Sequence, residues 1–484
     1  MANNKIKKHG ISRRKAIGLS VAAVAVTATG AYLYLDSITS PSTTTSTTTT
    51  TMSTPTSSTT TSSSTSTSTT STTSLTSTTT TPTTTPTTTT TQGDLMKLVL
   101  ESSQAKAQPS SDIFVVNGTT GHDDGFDRLM GLMNKNNLLF YNSAKEGQEG
   151  LIAKDDVLLI KVNSQWNERG GTNTDLIKTI IEAIKNHPDG FVGEIVMVDN
   201  GQGPGRGSLS DGGHLDYEKN NAEDVSQSVQ KVVDSSAGSF KISTYLWDNI
   251  TLKKVEEYSK GDLEDGYVVQ ENVNEKTGIQ VSYPKFKTKF GTYISFKNGL
   301  WDTQTASYNS EKLKVINVPV LKTHSVYGVT GCTKHYMGVP SDRLTGGSST
   351  LGNTHLSIGK GGMGTLMAET RIPTLNILDA IWINARPLKG PQTYYDTAVR
   401  VNVIMASKDP IALDYWASKH ILLQVAQARG YGPLYVLDPD FVPDIPNPSI
   451  FSTWIKLSME EIKKTGYQTT LKEDEMNVYV VNLQ

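Results

Sequence analysis

Lysines and histidines that could do chemistry lie close together in the second half of the chain. Lys322 and His324 end an apolar run, and Lys334 and His335 follow a loop of glycine and threonine. A lysine beside such a loop can hold a carboxylate or a phosphate, and a desolvated lysine can act as a base or a nucleophile. Imidazole suits zinc, nickel or iron. The pattern therefore predicts catalytic roles for Lys322 and Lys334, and metal binding by His324 and His335.

Each of these roles has a simpler alternative. A loop lysine can be solvated at its charged end without any function. A histidine can be hydrogen-bonded within a site without binding a metal, and no HExxH motif or compact His/Asp triad accompanies these two histidines. From the residues alone, both alternatives stay open beside the chemical interpretation.

Three apolar segments predict the strands that position these side chains. The segment Val315–Leu321 predicts a buried strand, in which Pro319 indicates an edge position or a bulge. The segments Asp155–Asn163 and Phe191–Val198 predict two more strands, separated by a helix that begins at Thr172–Thr174. The strands of such a βαβ unit run parallel with a right-handed crossover. Their carboxyl ends are therefore expected at one edge of the sheet.

Polar side chains at this edge extend the predicted site. Lys161 and Asn163 follow the first of the paired strands, and Asp199 follows the second. We predict that Lys161 and Asn163 bind substrate and that Asp199 is catalytic, because a carboxylate that faces buried cations shifts their pKa values. A solvated lysine at the end of a strand is the alternative for Lys161.

The C-terminal part adds two carboxylates and a loop lysine. Asp379 follows a predicted strand and is a further candidate for catalysis. Asp409 is predicted to bind substrate, or alternatively to cap the helix that Pro410 begins. Lys360, also predicted to bind substrate, lies in the Gly-, Ser- and Thr-rich residues 341–364, which are either a lid over the site or a disordered loop.

The order of these segments predicts an α/β protein with a mostly parallel open sheet and flanking helices. Residues 241–302 interrupt the pattern. Aromatic and basic residues alternate along Pro284–Phe290 with a period of two, which predicts strands in an inserted β-rich subdomain. The lysines of this segment either protect an edge strand or bind an anionic polymer, and the first explanation is the more common one.

Two motifs in the central stretch, LKTH at 321–324 and GVTGCTKHYMG at 328–338, resemble the family catalogued as domain of unknown function 362. Three other segments are similar to further elements of that family: IKVN at 160–163, LNILDAI at 375–381 and ASKDPIALDYWA at 406–417. They extend the resemblance over about residues 155–423.

Two positions depart from the pattern of that family. Val162 stands where the family has proline, and His335 stands where it often has asparagine, so a role for His335 does not carry over. The family consists of uncharacterised α/β proteins without an agreed reaction. The resemblance therefore implies a fold and the place of a site, and it does not imply a substrate.

A shorter resemblance concerns the nickel-pincer lactate racemases. The segments Gly331–Lys334 and Gly338–Pro340 are similar to the glycine, lysine and proline element of those enzymes, in which the lysine anchors a nickel-bearing nucleotide. The likeness covers about ten residues, and the paired glycines before the lysine are missing. A racemase-like activity is thus a minor alternative.

The N-terminus predicts export. The segment Ser12–Ile17 resembles a twin-arginine signal, although Ala16 stands where phenylalanine is more usual. The uncharged run Ala16–Leu35 would be about 30 Å long as a helix, which is enough to span a bilayer. Residues 1–36 are therefore predicted to be a retained anchor with the domain outside the cytoplasm. An ordinary membrane anchor or a cleaved signal, which would release a secreted protein, are the alternatives.

Residues 37–91 are almost wholly threonine and serine with scattered proline. Such a segment has too little apolar surface to offset its chain entropy, which predicts a disordered, extended stalk. The composition resembles the glycosylated stalks of surface proteins, notably archaeal ones, and a passive linker is the alternative. The sequons Asn117–Thr119 and Asn249–Thr251 are short matches that occur often by chance.

Composition limits the remaining classes of function. The net charge is −2 and the isoelectric point about 6.5, so no overall charge favours nucleic acid as a partner. Cys332 is the only cysteine, which excludes an intramolecular disulfide, a cysteine-ligated iron–sulfur cluster and a structural zinc site built from cysteines. Residues 92–484 are long enough for one large α/β domain.

Together these patterns predict a membrane-tethered enzyme that binds a metal or a small organic cofactor and acts on an anionic small molecule. A non-catalytic surface module for binding or structure is the alternative, and the stalk fits it better. The sequence predicts neither the reaction nor the oligomeric state.

Overall fold

A computed structural model describes residues 95–106, 109–203, 212–345 and 352–483. The chain divides into two units, Met1–Thr87 and Thr88–Gln484, and all described residues belong to the second. The predicted anchor at 1–36 and the predicted stalk at 37–91 lie outside the described residues. Within the described ranges, no helix is both long enough and apolar enough to cross a bilayer.

Strands provide the framework of the domain. In chain order they are β1 (Ser111–Asn117), β2 (Tyr141–Asn142), β3 (Ile152–Ala153), β4 (Val157–Lys161), β5 (Glu194–Asp199), β6 (Lys241–Leu246), β7 (Gly266–Val273), β8 (Gln280–Lys287), β9 (Tyr293–Ser295), β10 (Gly299–Asp302), β11 (Ser307–Asn309), β12 (Leu313–Asn317), β13 (Val320–His324), β14 (Gly328–Thr330), β15 (Leu375–Asn384), β16 (Val399–Ser407) and β17 (Met476–Asn482).

Helices connect and cover the strands. They are α1 (Gly125–Lys135), α2 (Thr174–Lys185), α3 (Val229–Ala237), α4 (Cys332–His335), α5 (Asp342–Thr345), α6 (Gly352–Ser357), α7 (Gly362–Glu369), α8 (Pro410–Ala417), α9 (Leu423–Ala428) and α10 (Phe451–Lys463). A π-helical turn, Ser418–Leu422, joins α8 to α9.

The main sheet is mixed and mostly parallel. Its strands follow the order β17-β1-β16-β15-β12-β4-β5-β6, and β13 pairs with β15 and with β14. The pairs on either side of β4 and β5 are parallel, whereas β16 is antiparallel to both β1 and β15. The predicted α/β class and the mostly parallel sheet are therefore confirmed.

Both faces of the main sheet are covered, as parallel strands require. Along β5, Ile195 and Met197 pack with α1, α2 and α3, whereas Val196 and Val198 pack with α7, α8, α10 and the second sheet. Because successive side chains of a strand point to opposite faces, one apolar strand contributes to two separate cores.

A second sheet of five antiparallel strands has the order β11-β10-β9-β8-β7 and occupies residues 266–309. It is the predicted β-rich segment with shifted bounds. β6, which begins at Lys241, belongs to the main sheet, where it pairs in parallel with β5. The short strands β2 and β3 form a pair of their own.

The segment Val315–Leu321 differs from the single predicted strand. β12 ends at Asn317 and β13 begins at Val320, with Pro319 between them. Proline has no N–H for a ladder, yet its carbonyl oxygen accepts a hydrogen bond of 2.9 Å from the N–H of Asp379. The break lets β13 leave β12 and pair with the far end of β15, where it carries Lys322 and His324.

Candidate functional site

Lys322 is buried in β13 and has no counter-ion in the described part of the chain. Its ammonium donates a hydrogen bond of 2.5 Å to the carbonyl oxygen of Gly170 and forms no ion pair with a described residue. Burial lowers the pKa of Lys322 to about 7, and repulsion from Lys334 acts in the same direction. Lys322 therefore titrates near neutrality, where an ordinary lysine is fully protonated.

Lys334 is held in place by the short helix α4, whose beginning is fixed by a carboxylate from another element. The two oxygens of Asp414 in α8 accept hydrogen bonds from the backbone N–H groups of Cys332, at 2.5 Å, and Thr333, at 2.8 Å. A Cβ atom on Gly331 would lie 2.2 Å from Oδ1 of Asp414. Glycine at this position is therefore what allows the close approach of the carboxylate.

The ammonium of Lys334 has no hydrogen bond or ion pair to any residue that the structure describes. The ring of Tyr327 lies nearby, with 6.0 Å between Nζ and the ring centroid. Lys334 is 6% exposed. Burial lowers its pKa to about 7, and the charge of Asp342 opposes that shift. Lys322 and Lys334 are thus two desolvated cations close enough to act on each other.

His324 lies beside these lysines with one ring nitrogen open. Its Nδ1 accepts hydrogen bonds from the N–H groups of Val326, at 3.0 Å, and Tyr327, at 3.2 Å. The neutral ring therefore carries its proton on Nε2, which has no partner among the described residues. Burial and the charge of Lys334 hold the pKa of His324 well below its ordinary value, so Nε2 is a neutral donor.

His335 has no open nitrogen. Its Nδ1 lies 2.7 Å from the side-chain oxygen of Asn317, and its Nε2 lies 3.0 Å from the carbonyl oxygen of Val162. Both nitrogens face oxygen atoms at hydrogen-bond distance, so neither is open to a metal ion. This geometry favours the hydrogen-bonded alternative for His335 over the predicted metal ligand.

Lys161 and Asp199 form a buried ion pair. Nζ of Lys161 lies 2.7 Å from Oδ1 of Asp199, whose Oδ2 accepts hydrogen bonds from the N–H and the hydroxyl of Ser164. Burial lowers the pKa of Lys161, and the charge of Asp199 opposes this shift. Gly338 closes over the pair, because a Cβ atom there would lie 2.2 Å from Oδ1 and 2.5 Å from Nζ.

Asp379 and Asp409 use their oxygens on backbone N–H groups. Asp379 accepts from Asn173, at the beginning of α2, and from Ile381. Asp409 accepts from two N–H groups in the first turn of α8, from the hydroxyl of Thr469 and from the N–H of Thr470. Burial raises the pKa of both carboxyl groups to about 6. The capping alternative therefore describes Asp409.

Asn163 and Lys360 differ in their relation to the lysines. Asn163 follows β4, and its buried side-chain oxygen has no hydrogen-bond partner among the described residues. Its neighbour Gly171 adjoins Gly170, to which Lys322 binds. Lys360 is exposed and lies beside Gly278, in the turn between β7 and β8. The structure does not bring Lys360 to the predicted site.

Several polar residues of this region were not among the predicted site residues. Asn317 pairs in register with Lys161 of β4 and with Asn376 of β15, and its amide donates to Asn376 and to the carbonyl of Cys332. Asp342 and His355 approach each other near Lys334. An asparagine that ends an apolar strand is a usable sequence signal for Asn317, whereas no local pattern marks the other two.

The first glycines of the loop after β5 bind a carboxylate of the protein itself. The N–H groups of Gly201 and Gly203 donate to the two oxygens of Asp248, at 2.8 and 2.9 Å. The loop residues 204–211 lie outside the described ranges. Across the described ranges, no three residues among His, Cys, Asp and Glu are grouped as a metal ion would require.

Residues 267–419 match the family described as Domain of unknown function (DUF362). This part of the chain is therefore similar to the DUF362 family. The match to DUF362 begins in β7 and ends just after α8, so it includes Lys322, His324 and Lys334. β4 and β5, with the Lys161–Asp199 pair, precede it. No curated protein and no solved structure has a significant match to the chain.

The region around these strand ends thus combines two kinds of buried charge. Lys161 is neutralised by Asp199, whereas Lys322 and Lys334 have no carboxylate partner among the residues that the structure describes. We call the region formed by Lys322, His324 and Lys334 the lysine crevice. Its free donors can receive an anion, and a lysine with a pKa near 7 can also exchange a proton at neutral pH.

Proposed function

We propose that the α/β domain is an enzyme that binds an anionic small molecule in the lysine crevice and transfers a proton with Lys322 or Lys334. The observation that carries the proposal is the pair of buried ammonium groups without counter-ions among the described residues. An unpaired buried charge is costly, so proteins rarely retain one without a function. An anion bound between the two lysines would supply the missing charge.

Proton transfer is supported by the pKa values of the two lysines. Both values are lowered to about 7, so a fraction of each lysine is neutral at neutral pH. The ideal acid or base has a pKa near the working pH. One lysine can then hold the anionic group as a cation while the other accepts or donates a proton.

The first test is anion binding to the full-length protein, measured by calorimetry with acetate and with inorganic phosphate. We expect Lys322→Met and Lys334→Met each to weaken binding at least about tenfold, since a charge-assisted hydrogen bond contributes roughly 1.5 to 3 kcal/mol. Lys135→Met, which changes an exposed lysine on α1, is the matched control. Unchanged affinity in both crevice variants would contradict the proposal.

The second test separates an enzyme from a binding module. Reductive methylation with a 13C label allows each lysine to be titrated by NMR, with assignment from the Lys→Met variants. The enzyme proposal expects two lysines that titrate near pH 7 and move upward when acetate is added. Ordinary values near 10 with intact anion binding would leave a binding module without proton transfer.

A cofactor for this site is a separate part of the proposal. The open Nε2 of His324 is a donor in the neutral ring and becomes a metal ligand only after losing its proton to the solvent or moving it to Nδ1. Elemental analysis and mass spectrometry of the protein from its native host test this directly. A stoichiometric metal that is lost in His324→Ala would support the predicted metal site.

We also propose that the domain works outside the cytoplasm on a membrane tether. This rests on the arginine pair Arg13–Arg14, the uncharged run that follows and the Thr/Ser-rich residues 37–91. The test is cell fractionation of the full-length protein and of a variant with both arginines changed to lysine. Cytoplasmic recovery of the unaltered protein would contradict it.

A further inference from the structure

Asp342 and His355 form a pair next to the lysine crevice. Nδ1 of His355 lies 3.2 Å from Oδ2 of Asp342. The carboxylate can only accept, so Nδ1 carries the proton and the neutral ring presents a lone pair at Nε2. Neither Nε2 of His355 nor Oδ1 of Asp342 has a hydrogen-bond partner among the described residues, and Oδ1 is buried.

Tyr327 connects this pair to the crevice. Its hydroxyl donates a hydrogen bond of 2.7 Å to the carbonyl oxygen of His355. Its ring lies 5.8 Å from the ring of His324, centroid to centroid, and 6.0 Å from Nζ of Lys334. Tyr327 therefore lies beside His324 and Lys334, the two open donors of the crevice. It also binds the backbone of His355, whose Nε2 is the open acceptor.

Asp342 and Lys334 carry opposite charges near Tyr327 but do not form an ion pair. Asp342 is the carboxylate whose charge acts on Lys334, yet the two do not come within ion-pair distance. A buried carboxylate oxygen and a buried ammonium, each without a hydrogen-bond partner among the described residues, leave unmet hydrogen-bonding capacity on two groups of opposite charge. Native proteins seldom leave such groups unsatisfied, so a bound molecule that joins them explains both.

We propose that Asp342 and His355 select the ligand of the crevice, and that this ligand carries a hydroxyl or amino group beside its anionic group. The anionic group would lie on Lys334 and the Nε2–H of His324. The neighbouring hydroxyl or amino group would donate to Oδ1 of Asp342 or to Nε2 of His355. This inference rests on the proposed anion site and adds the chemical class of its ligand.

The test compares two probes that differ by one hydroxyl group, glycolate and acetate, on the full-length protein. We expect glycolate to bind about tenfold more tightly, the effect of one hydrogen bond to a charged or oriented acceptor. In Asp342→Asn and His355→Gln the ratio of the two affinities should fall toward one. A general loss of anion affinity affects both probes equally and therefore cancels in the ratio. The control variant Lys135→Met should show the same ratio as the unaltered protein.

The outcomes separate this inference from the proposed function. Equal binding of glycolate and acetate to the unaltered protein would overturn the role of Asp342 and His355 and leave the anion site intact. A glycolate preference that survives in both variants would overturn it as well. If neither probe binds, the anion site and the inference built on it both fail.

Discussion

Lys322 and Lys334 are the residues whose chemistry departs furthest from the ordinary. Unfolded lysines titrate near 10.5, whereas these two titrate near 7 in the fold. Between pH 7 and pH 10.5 the unfolded chain binds more protons at these lysines than the folded chain does. The free energy of unfolding therefore rises with pH over this range. Each lysine therefore costs the ligand-free domain stability at pH 7.

We expect Lys334→Met to stabilise the ligand-free protein at pH 7 by roughly 3 to 5 kcal/mol, because a pKa shift of one unit corresponds to about 1.4 kcal/mol. The gain should shrink as the pH rises toward 10.5, because folded Lys334 is already neutral there and the unfolded lysine loses its proton only near that pH. Denaturant unfolding at several pH values measures this. A gain that does not change with pH would assign it to packing instead of charge.

The ion pair of Lys161 and Asp199 behaves in the opposite way. Asp199→Asn leaves the Lys161 ammonium buried without its counter-ion, and we expect a loss of about 3 to 5 kcal/mol in the free energy of unfolding. Adding Lys161→Met removes the unpaired charge, so the double variant should be more stable than Asp199→Asn alone. A double variant that is less stable would show that the charge is not the cause.

At this scale the sequence singled out three buried lysines as site candidates but did not show which of them are paired. Lys161, Lys322 and Lys334 look alike in the sequence, each at the end of a strand or loop. Only the position of Asp199, 38 residues after Lys161, separates the neutralised lysine from the two open ones. Asp342 and His355 were missed because their pairing depends on how α5 and α6 pack.

Among the elements, the short helix α4 depends on α8 for its position. Four residues are too few to hold a helix by their own hydrogen bonds, so Asp414 in α8 fixes its beginning. Glycine is required at position 331 because any side chain there would occupy the space of the Asp414 carboxylate.

We expect Gly331→Ala to destabilise the domain and to lower anion affinity, because the new methyl group displaces Asp414 and moves Lys334. In Asp414→Ala the same glycine substitution should cost much less, since the obstacle is gone. Such non-additivity is typical of residues in contact. Chemical unfolding of the single and double variants measures it, and simple additivity would contradict the model of a shared space.

The elements themselves were predictable where one local signal dominated. Asn173 begins α2 and Asp409 begins α8, as capping residues do. The division of the central strand was foreseen only as a bulge or an edge at Pro319. The sequence does not reveal that β13 pairs with the end of β15, since that partner follows some 60 residues later.

Over the whole molecule, the buried lysines give a dependence of stability on pH that a bound anion should remove. We expect the free energy of unfolding of the ligand-free protein to rise between pH 7 and pH 9, because Lys322, Lys334 and Lys161 all have lowered pKa values. Saturating glycolate should flatten this rise by keeping the crevice lysines protonated. Thermal unfolding with and without glycolate measures the difference, and parallel curves would contradict it.

The fold class was predictable from the alternation of apolar strands and amphipathic helices, whereas the strand order was not. A βαβ pattern specifies neighbours such as β4 and β5. The placement of β1 between β16 and β17 joins segments more than 280 residues apart, and no local pattern encodes such a contact.

That placement also sets the order in which the domain can be completed during synthesis. β1 is the first described strand of the main sheet to be made, but its two partners, β16 and β17, are made more than 280 residues later. Until residue 476 has left the ribosome, the seven-residue strand Ser111–Asn117 keeps one edge of its backbone without a partner. The main sheet can therefore be completed only once β17 has been made, and a nascent chain stopped before β17 would expose a strand edge that favours aggregation.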